Sequence, residues 1–304
     1  MSTEGGTRAV IAALGANMGI AVSKFVAFGI TGSSSMLSEA VHSVADSGNQ
    51  ILLLFGGRRS RRSASDRHQF GYGRVRYLYG FVVSIVLFLV GGVFAVYEGM
   101  HKIQHAGEMG DTRIALAVLV VAILLEAFSF RTAIREANHA RGERSLLAFV
   151  RDSRQPELPV ILLEDAGALV GLVFALLGVL MASLTGDSRW DGMGAIAIGM
   201  LLVCIATFLA AEMSSLLVGE AALPAEEQAI RDALAAAPLV SRVIHLRTLH
   251  VGPDELLVAA KIAVASTATA ADIAAGIDDA ERALRERVPS ATYVFLEPDL
   301  DRVR

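Results

Sequence analysis

The chain has 304 residues, 54% of them hydrophobic and only 19% charged, with a mean hydropathy of +0.53; soluble globular domains average about 45–50% apolar and about 25% charged. That composition excludes disorder and argues against an ordinary soluble enzyme. The net charge of −4 supplies no basic excess to neutralise phosphates, so nucleic acid is not an expected partner, and the single cysteine, Cys204, rules out an intrachain disulfide or an all-cysteine metal site.

A membrane-spanning helix needs about 20 mostly apolar residues. Six stretches meet that need: Val10–Thr31, Met36–Gly57, Tyr77–Met100, Ile114–Thr132, Leu158–Leu184 and Met193–Val218. The first has only Arg8 ahead of it and exceeds the apolar stretch of a signal peptide, so it reads as a span. The second and fifth carry several polar groups and read as the least apolar. Arg58–Arg76 holds seven arginines and Arg131–Pro156 six, against Lys102, Arg113 and Arg189 in the opposite loops. This asymmetry puts both basic loops and both termini in the cytoplasm. Trp190, Tyr77 and Tyr79 fall at predicted helix ends, as in an interfacial aromatic belt. Helical periodicity over Arg131–Ser153 predicts that the fourth span continues into the cytoplasm.

From Ala221 onward the pattern changes, and 13 acidic and 9 basic residues account for the net charge. Pro224–Ala237 reads as a helix with Glu226 and Glu227 in its first turn, where the helix dipole favours acids. Val240–Val251 and Glu255–Val264 read as strands around the turn Gly252-Pro253-Asp254. Thr267–Val288 reads as a second helix and Ala291–Leu296 as a last strand. The expected fold is an α-helical membrane protein: a six-transmembrane-helix bundle over residues 1–220, and a small cytoplasmic α/β domain over 221–304, with the order α-β-β-α-β of metallochaperone-like or ferredoxin-like modules.

An ionisable side chain deep in a membrane costs several kcal/mol unless it is paired or lines a wet cavity, so each is a functional candidate. The second span carries Glu39, His42 and Asp46. His42 and Asp46 are one turn apart on one helix face, with Asn49 a further turn along the same side. The fifth span carries Glu164 and Asp165. Asp46 lies roughly 16 Å from the cytoplasmic end of its span and Asp165 roughly 10 Å from the end of its own, so the two antiparallel spans bring these groups to comparable depth. One imidazole and two carboxylates there suit Zn²⁺ or a similar divalent ion. The alternative is that His42 and Asp46 bond each other and neighbouring hydroxyls such as Ser43, with Asp165 paired locally. Glu164 is rotated about 100° from Asp165, so it is either a further ligand in a distorted site or an interhelical hydrogen-bond partner. Glu126, at mid-depth of the fourth span, is a candidate for proton movement or the ion path. Glu39, nearer the outer mouth, is a candidate exit-side attractor. Glu98 and Glu212 fall near span ends, where snorkelling accounts for them.

The stretch NMGIAVSKFVAFGITGSSSMLSEAVHSVADSGNQ, then HQFGYGR, then LLEDAGALVGL, resembles the cation diffusion facilitator family, in particular its zinc-transporter-9-like branch. The likeness covers nearly the whole chain. It implies a homodimer of six-helix subunits joined through a cytoplasmic domain, exporting Zn²⁺ or a related ion in exchange for protons. The family places two metal ligands one turn apart on the second helix, matching His42 and Asp46. It places two more on the fifth, of which Asp165 matches the second. The first falls on Ile161, which cannot bind metal, leaving Glu164, a nearby helix or water to supply the fourth ligand. Accessory family sites are reduced here. The loop after the second helix keeps only Asp66 and His68, either an ion-uptake site or a turn stabiliser, with Tyr72 where a later histidine often stands. The tail ends in FLEP at Phe295–Pro298 rather than a metal-binding HxEP. His245 and His250 are five apart in a predicted strand and point to opposite faces, so the tail is expected to fold and dimerise without metal.

The function expected from this reading is a divalent metal/proton antiporter in a lipid bilayer. The metal is cargo and no permanent cofactor is expected. The alternative is a non-transporting membrane scaffold or metal-sensing regulator. An intramembrane metallohydrolase is disfavoured, since HExxH is absent and no serine or cysteine nucleophile stands beside a base.

Overall fold

The computed structural model describes residues 18–107 and 111–300. In chain order these form α1 (Met18–Thr31), α2 (Ser34–Ser60), α3 (Val75–Gln104), α4 (Thr112–Arg141), α5 (Leu146–Asp152), α6 (Glu157–Thr185) and α7 (Arg189–Val218), then α8 (Pro224–Ala236), β1 (Arg242–Gly252), β2 (Glu255–Val264), α9 (Ala270–Arg287) and β3 (Ala291–Leu300). Residues 10–17 of the first predicted span lie outside the described residues. Two compact units emerge: one takes the chain up to Arg58 plus Leu78–Met213, the other Arg59–Tyr77 plus the chain from Ser214. The loop Arg59–Tyr77 therefore belongs with the tail module.

In the first unit, α3, α4, α6 and α7 are each long and apolar enough to cross a membrane. The fifth predicted span, α6, is thus as apolar as its neighbours, because Glu164 and Asp165 are its only charges past the first turn. α2 is of similar length, at 27 residues, but its buried face is polar: Ser38, Glu39, His42, Ser43, Ser47 and Asn49. Burial is inverted relative to a soluble protein. Phe128 is 73% and Leu124 67% exposed, whereas Glu39 and Asn49 are fully buried. Apolar side chains facing outward and charges facing inward are what a lipid solvent selects. The apolar core between the helices includes Met36, Leu87, Leu119, Leu172, Ile198 and Leu202.

The tight link between α1 and α2 uses Gly32 at φ +63°, a conformation glycine adopts at no steric cost. The free N-terminus of α2 is then capped from α7. Asp191, fully buried, accepts from Ser33 Oγ at 2.8 Å, Ser34 N at 2.7 Å and Ser35 N at 3.2 Å. A carboxylate there satisfies orphan amides and meets the positive end of the helix dipole. Glu98 turns inward to accept from Ser34 Oγ at 3.0 Å, so it does not snorkel.

α3 contains a π-helical segment, Leu87–Val93. From Gly92, within that segment, onward α3 runs against α7 with backbone nearly touching backbone. A Cβ on Gly92 would fall 2.6 Å from Val203, one on Gly99 would fall 2.5 Å from the Gly192 carbonyl, and one on Gly199 would fall 2.7 Å from the Gly92 carbonyl. A glycine inside a helix costs about 1 kcal/mol relative to alanine. The close approach of two helices offsets that cost in a membrane, where association rests on van der Waals contact between small residues. The expected extension of the fourth span stops at Arg141: Gly142, at φ +59°, breaks the helix, and Ser145 caps the short α5 by accepting from Ala148 N.

The second unit is a three-stranded sheet in the order β1-β2-β3, antiparallel between β1 and β2 and parallel between β2 and β3. α9 makes the crossover that the parallel pair requires. The core is built by Ile230, Leu234, Leu246, Leu256, Val258, Ile262 and Leu284. α9 opens on a capping box in which Thr269 N donates to Asp272 at 2.9 Å and Asp272 N donates to Thr269 Oγ1 at 3.2 Å. β3 runs four residues beyond its predicted end, to Leu300, carrying Pro298 on an edge strand where its missing N–H is tolerated. In the loop Arg59–Tyr77, Gly73 lies so close to the β1–β2 turn that a Cβ would sit 2.7 Å from Gly252 Cα.

Candidate functional site

His42 and Asp46 stand on the inward face of α2 with Nε2 and Oδ2 3.4 Å apart. Neither His42 ring nitrogen nor Asp46 Oδ1 has a hydrogen-bond partner among the described residues. The π-helical turn of α3 lies against this pair: a Cβ on Gly91 would be 3.7 Å from His42 Nδ1. Asn49, one turn below Asp46, reaches across to α6 and donates to Glu164 Oε1 at 2.7 Å. Glu164 is 4% exposed.

Asp165 is turned away from Glu164, as their positions on a helix require. It is half-buried and accepts from Ser129 Oγ of α4 at 3.1 Å. Glu126 lies one turn before Ser129 on α4 and is also half-buried. Asp46 interacts electrostatically with Glu164, Glu126 and Asp165, so the four carboxylates share one field. Ile161, at the position where a ligand would precede Asp165 by one turn, packs with Leu162 and Leu163 into apolar clusters. The sequence-predicted groups thus meet as pairs, His42 with Asp46 and Asn49 with Glu164, while Asp165 takes Ser129, a residue the sequence reading did not single out. Among the described residues no three His, Cys, Asp or Glu side chains close on one point as an assembled metal sphere.

Glu39 is fully buried, and its partner is a residue that the sequence reading passed over. Lys24 of α1, 1% exposed, places its ammonium 3.0 Å from Glu39 Oε2 and 2.8 Å from Ser43 Oγ. The available signal was a lone lysine in the middle of an otherwise apolar span.

The accessory residues lie elsewhere. His68 forms a hydrogen-bonded turn with Ser65 and rests its ring 4.6 Å from that of Tyr72. Asp66 is exposed in the same turn. In β1, His245 is exposed and His250 is 2% exposed with Nε2 3.9 Å from Glu226, so the two histidines do face apart. Phe295 is exposed, and Lys261 bridges Glu297 at 3.0 Å and Asp299 at 3.2 Å across β2 and β3.

Fold and interior together define a polytopic helical membrane protein with buried charged side chains between its helices and a separate α/β module. Residues 10–218 match the cation efflux transmembrane domain and residues 223–299 the cytoplasmic domain of cation efflux proteins. The chain belongs to the cation efflux family, a family of transporters rather than enzymes. It is 30% identical over 242 residues to the mitochondrial proton-coupled zinc antiporter SLC30A9 of Xenopus laevis, covering 79% of this chain and 43% of that protein. It is 31% identical over 224 residues to the Homo sapiens protein of the same name, covering 73% and 39%. The cation-efflux pump FieF of Escherichia coli is 28% identical over 256 residues, covering 83% of this chain and 79% of the pump. The chain thus spans about two fifths of the length of the zinc antiporters it matches.

Proposed function

We propose that this protein moves a divalent metal ion, Zn²⁺ foremost, out across its membrane in exchange for protons. The observation that carries this reading is the His42–Asp46 pair. Both His42 ring nitrogens and Asp46 Oδ1, buried in a membrane interior without a hydrogen-bond partner among the described residues, face an environment where each unsatisfied polar group costs several kcal/mol. A divalent cation is a ligand that would satisfy them. The names of the relatives, proton-coupled zinc antiporters, agree with that chemistry.

His42, Asp46, Glu164 and Asp165 are the proposed ligands. Glu164 supplies the donor that Ile161 cannot, because Asn49 holds it toward α2. Asp165 joins by a rotamer change from Ser129, with Glu126 as its neighbour along the proton path. Metal ligands must shed protons to bind, so metal and protons compete for the same groups. Coupled to rocking of the helices between inward-open and outward-open states, that competition gives exchange. In this reading the basic loops and both termini face the cytoplasm, and residues 221–304 join two copies into a homodimer.

The test is metal-dependent proton flux in proteoliposomes across a panel of divalent ions. Zn²⁺ uptake that drives counter-movement of protons is the expected result. Binding without flux for every ion would leave the scaffold or regulator reading in its place.

A further inference from the structure

A buried lysine adjoins the candidate site without belonging to it. Glu39, His42, Ser43 and Asp46 follow one another along one side of α2, so Lys24, bound to Glu39 and Ser43, lies about one turn, roughly 5 Å, from the His42–Asp46 pair. Its charge acts on His42, Asp46 and Glu126. Room for the pair is built into α6: a Cβ on Gly171 would fall 2.7 Å from Glu39 Oε1. Stability alone does not account for this arrangement. Buried ion pairs are often replaceable by apolar side chains at no loss, and a charge at this depth is expensive.

We propose that Lys24 sets the ion affinity of the transport site: its ammonium engages Glu39, keeps that carboxylate out of the ligand set, and repels a bound divalent cation from one turn away. This role rests on the assignment of His42, Asp46, Glu164 and Asp165 as the ligands. Like charges one turn apart oppose each other strongly where the dielectric is low. Transport needs binding favourable enough to capture the ion and weak enough to release it. Three ligand carboxylates with Glu126 nearby favour tight retention of a divalent ion, which opposes release. A tethered ammonium lowers that grip permanently and without a moving part. Lys24 is therefore a positioning and affinity-setting residue, not a ligand.

The experiment is calorimetric titration of the full chain in detergent with Zn²⁺. Lys24→Met removes the repulsion and frees Glu39, and should tighten binding by about tenfold or more. Glu39→Gln leaves the ammonium unneutralised, and should weaken binding by about tenfold or more. Lys24→Arg should stay near wild type. Joint replacement, Lys24→Met with Glu39→Leu, keeps the net charge and should bring the affinity back toward wild type. In proteoliposomes Lys24→Met should lower KM and kcat together, because release slows. A merely structural pair would move stability and leave affinity flat. If Lys24→Met does not fold, Glu39→Gln decides alone. Affinities within about twofold of wild type in both single variants overturn the proposal. Asp46→Ala separates the layers. If it abolishes binding while the Lys24 and Glu39 variants titrate as wild type, only the role of the lysine fails. If Asp46→Ala binds Zn²⁺ normally, the ligand assignment fails and this role with it.

Discussion

Asn49 on α2 and Glu164 on α6, 115 residues apart in sequence, are joined by a 2.7 Å hydrogen bond inside the membrane. That bond aims Glu164, rather than Asp165, at the helix carrying His42 and Asp46. It follows that Asp46→Ala and Glu164→Ala should each remove most metal-driven flux while the protein still reaches the membrane. Asn49→Ala, which removes only the orienting donor, should cost about 10–100-fold in metal affinity. Asp165→Ala should also be near-null if Asp165 turns from Ser129 to the ion. Wild-type-like flux in Asp46→Ala would sink the assignment.

The cap on α2 gives a stability prediction. Asp191→Ala would leave Ser33, Ser34 and Ser35 donors unsatisfied in a buried place. Hydrogen bonds to a charged group are worth about 1.5–3 kcal/mol each, and a lost cap alone about 1 kcal/mol. The variant should therefore lose several degrees or more of thermal stability in detergent, and Asp191→Asn distinctly less. An unchanged melting temperature for Asp191→Ala would show that other groups hold the start of α2.

Removal of residues 221–304 should weaken dimerisation and leave the helical bundle folded. Molecular mass in detergent at low protein concentration reads this directly, and an intact dimer there would move the main contact into the membrane.

His245→Ala combined with His250→Ala should leave flux near wild type, because one imidazole is exposed and the other is buried on the opposite side of the sheet. The cost should fall on the stability of the tail through His250. A large loss of zinc affinity would expose a tail site.

The capping box of α9 has a pH signature. Hydrogen bonds from the Thr269 side chain and backbone hold the Asp272 carboxyl below its usual value. A depressed carboxylate contributes stability above its unfolded value, about 3.9, and loses it as pH falls through the lower folded value. Hydrogen exchange at the start of α9, taken relative to the intrinsic rate at each pH, should therefore stay slow at neutral pH and quicken only in acid below about pH 4. Thr269→Ala should quicken it already at neutral pH. Insensitivity to the Thr269→Ala change would discard the cap as a determinant.

Much of this was legible in the residues. The start of β2 follows from the turn Gly252-Pro253-Asp254 and the end of α9 from Pro289, whereas the start of α9, read at Thr267, falls at Ala270 because Thr269 and Asp272 cap it. The inward face of α2 announced itself through His42, Asp46 and Asn49 at helical spacing. What stayed hidden had physical reasons. Lys24 vanished into the average hydropathy of its span, since one cation barely alters a window of 20 residues. The Asp191 cap joins groups 157 residues apart, and no local pattern encodes that. Which of Glu164 and Asp165 faces α2 depends on which neighbouring helix carries a donor. The π segment of α3 has no compositional mark at all.

That segment has a consequence for the whole of α3. A π turn amounts to one residue inserted into an α-helix, which advances everything after it by about 100° around the axis. Gly92 lies within the shifted turn and Gly99 beyond it, so Gly99 meets α7 on the phase that Leu87–Val93 sets. Deleting a single residue there would restore a regular helix and rotate every side chain from Phe94 to Gln104 onto the wrong side. When related chains are lined up, a one-residue gap inside this helix would therefore be a change of geometry rather than noise.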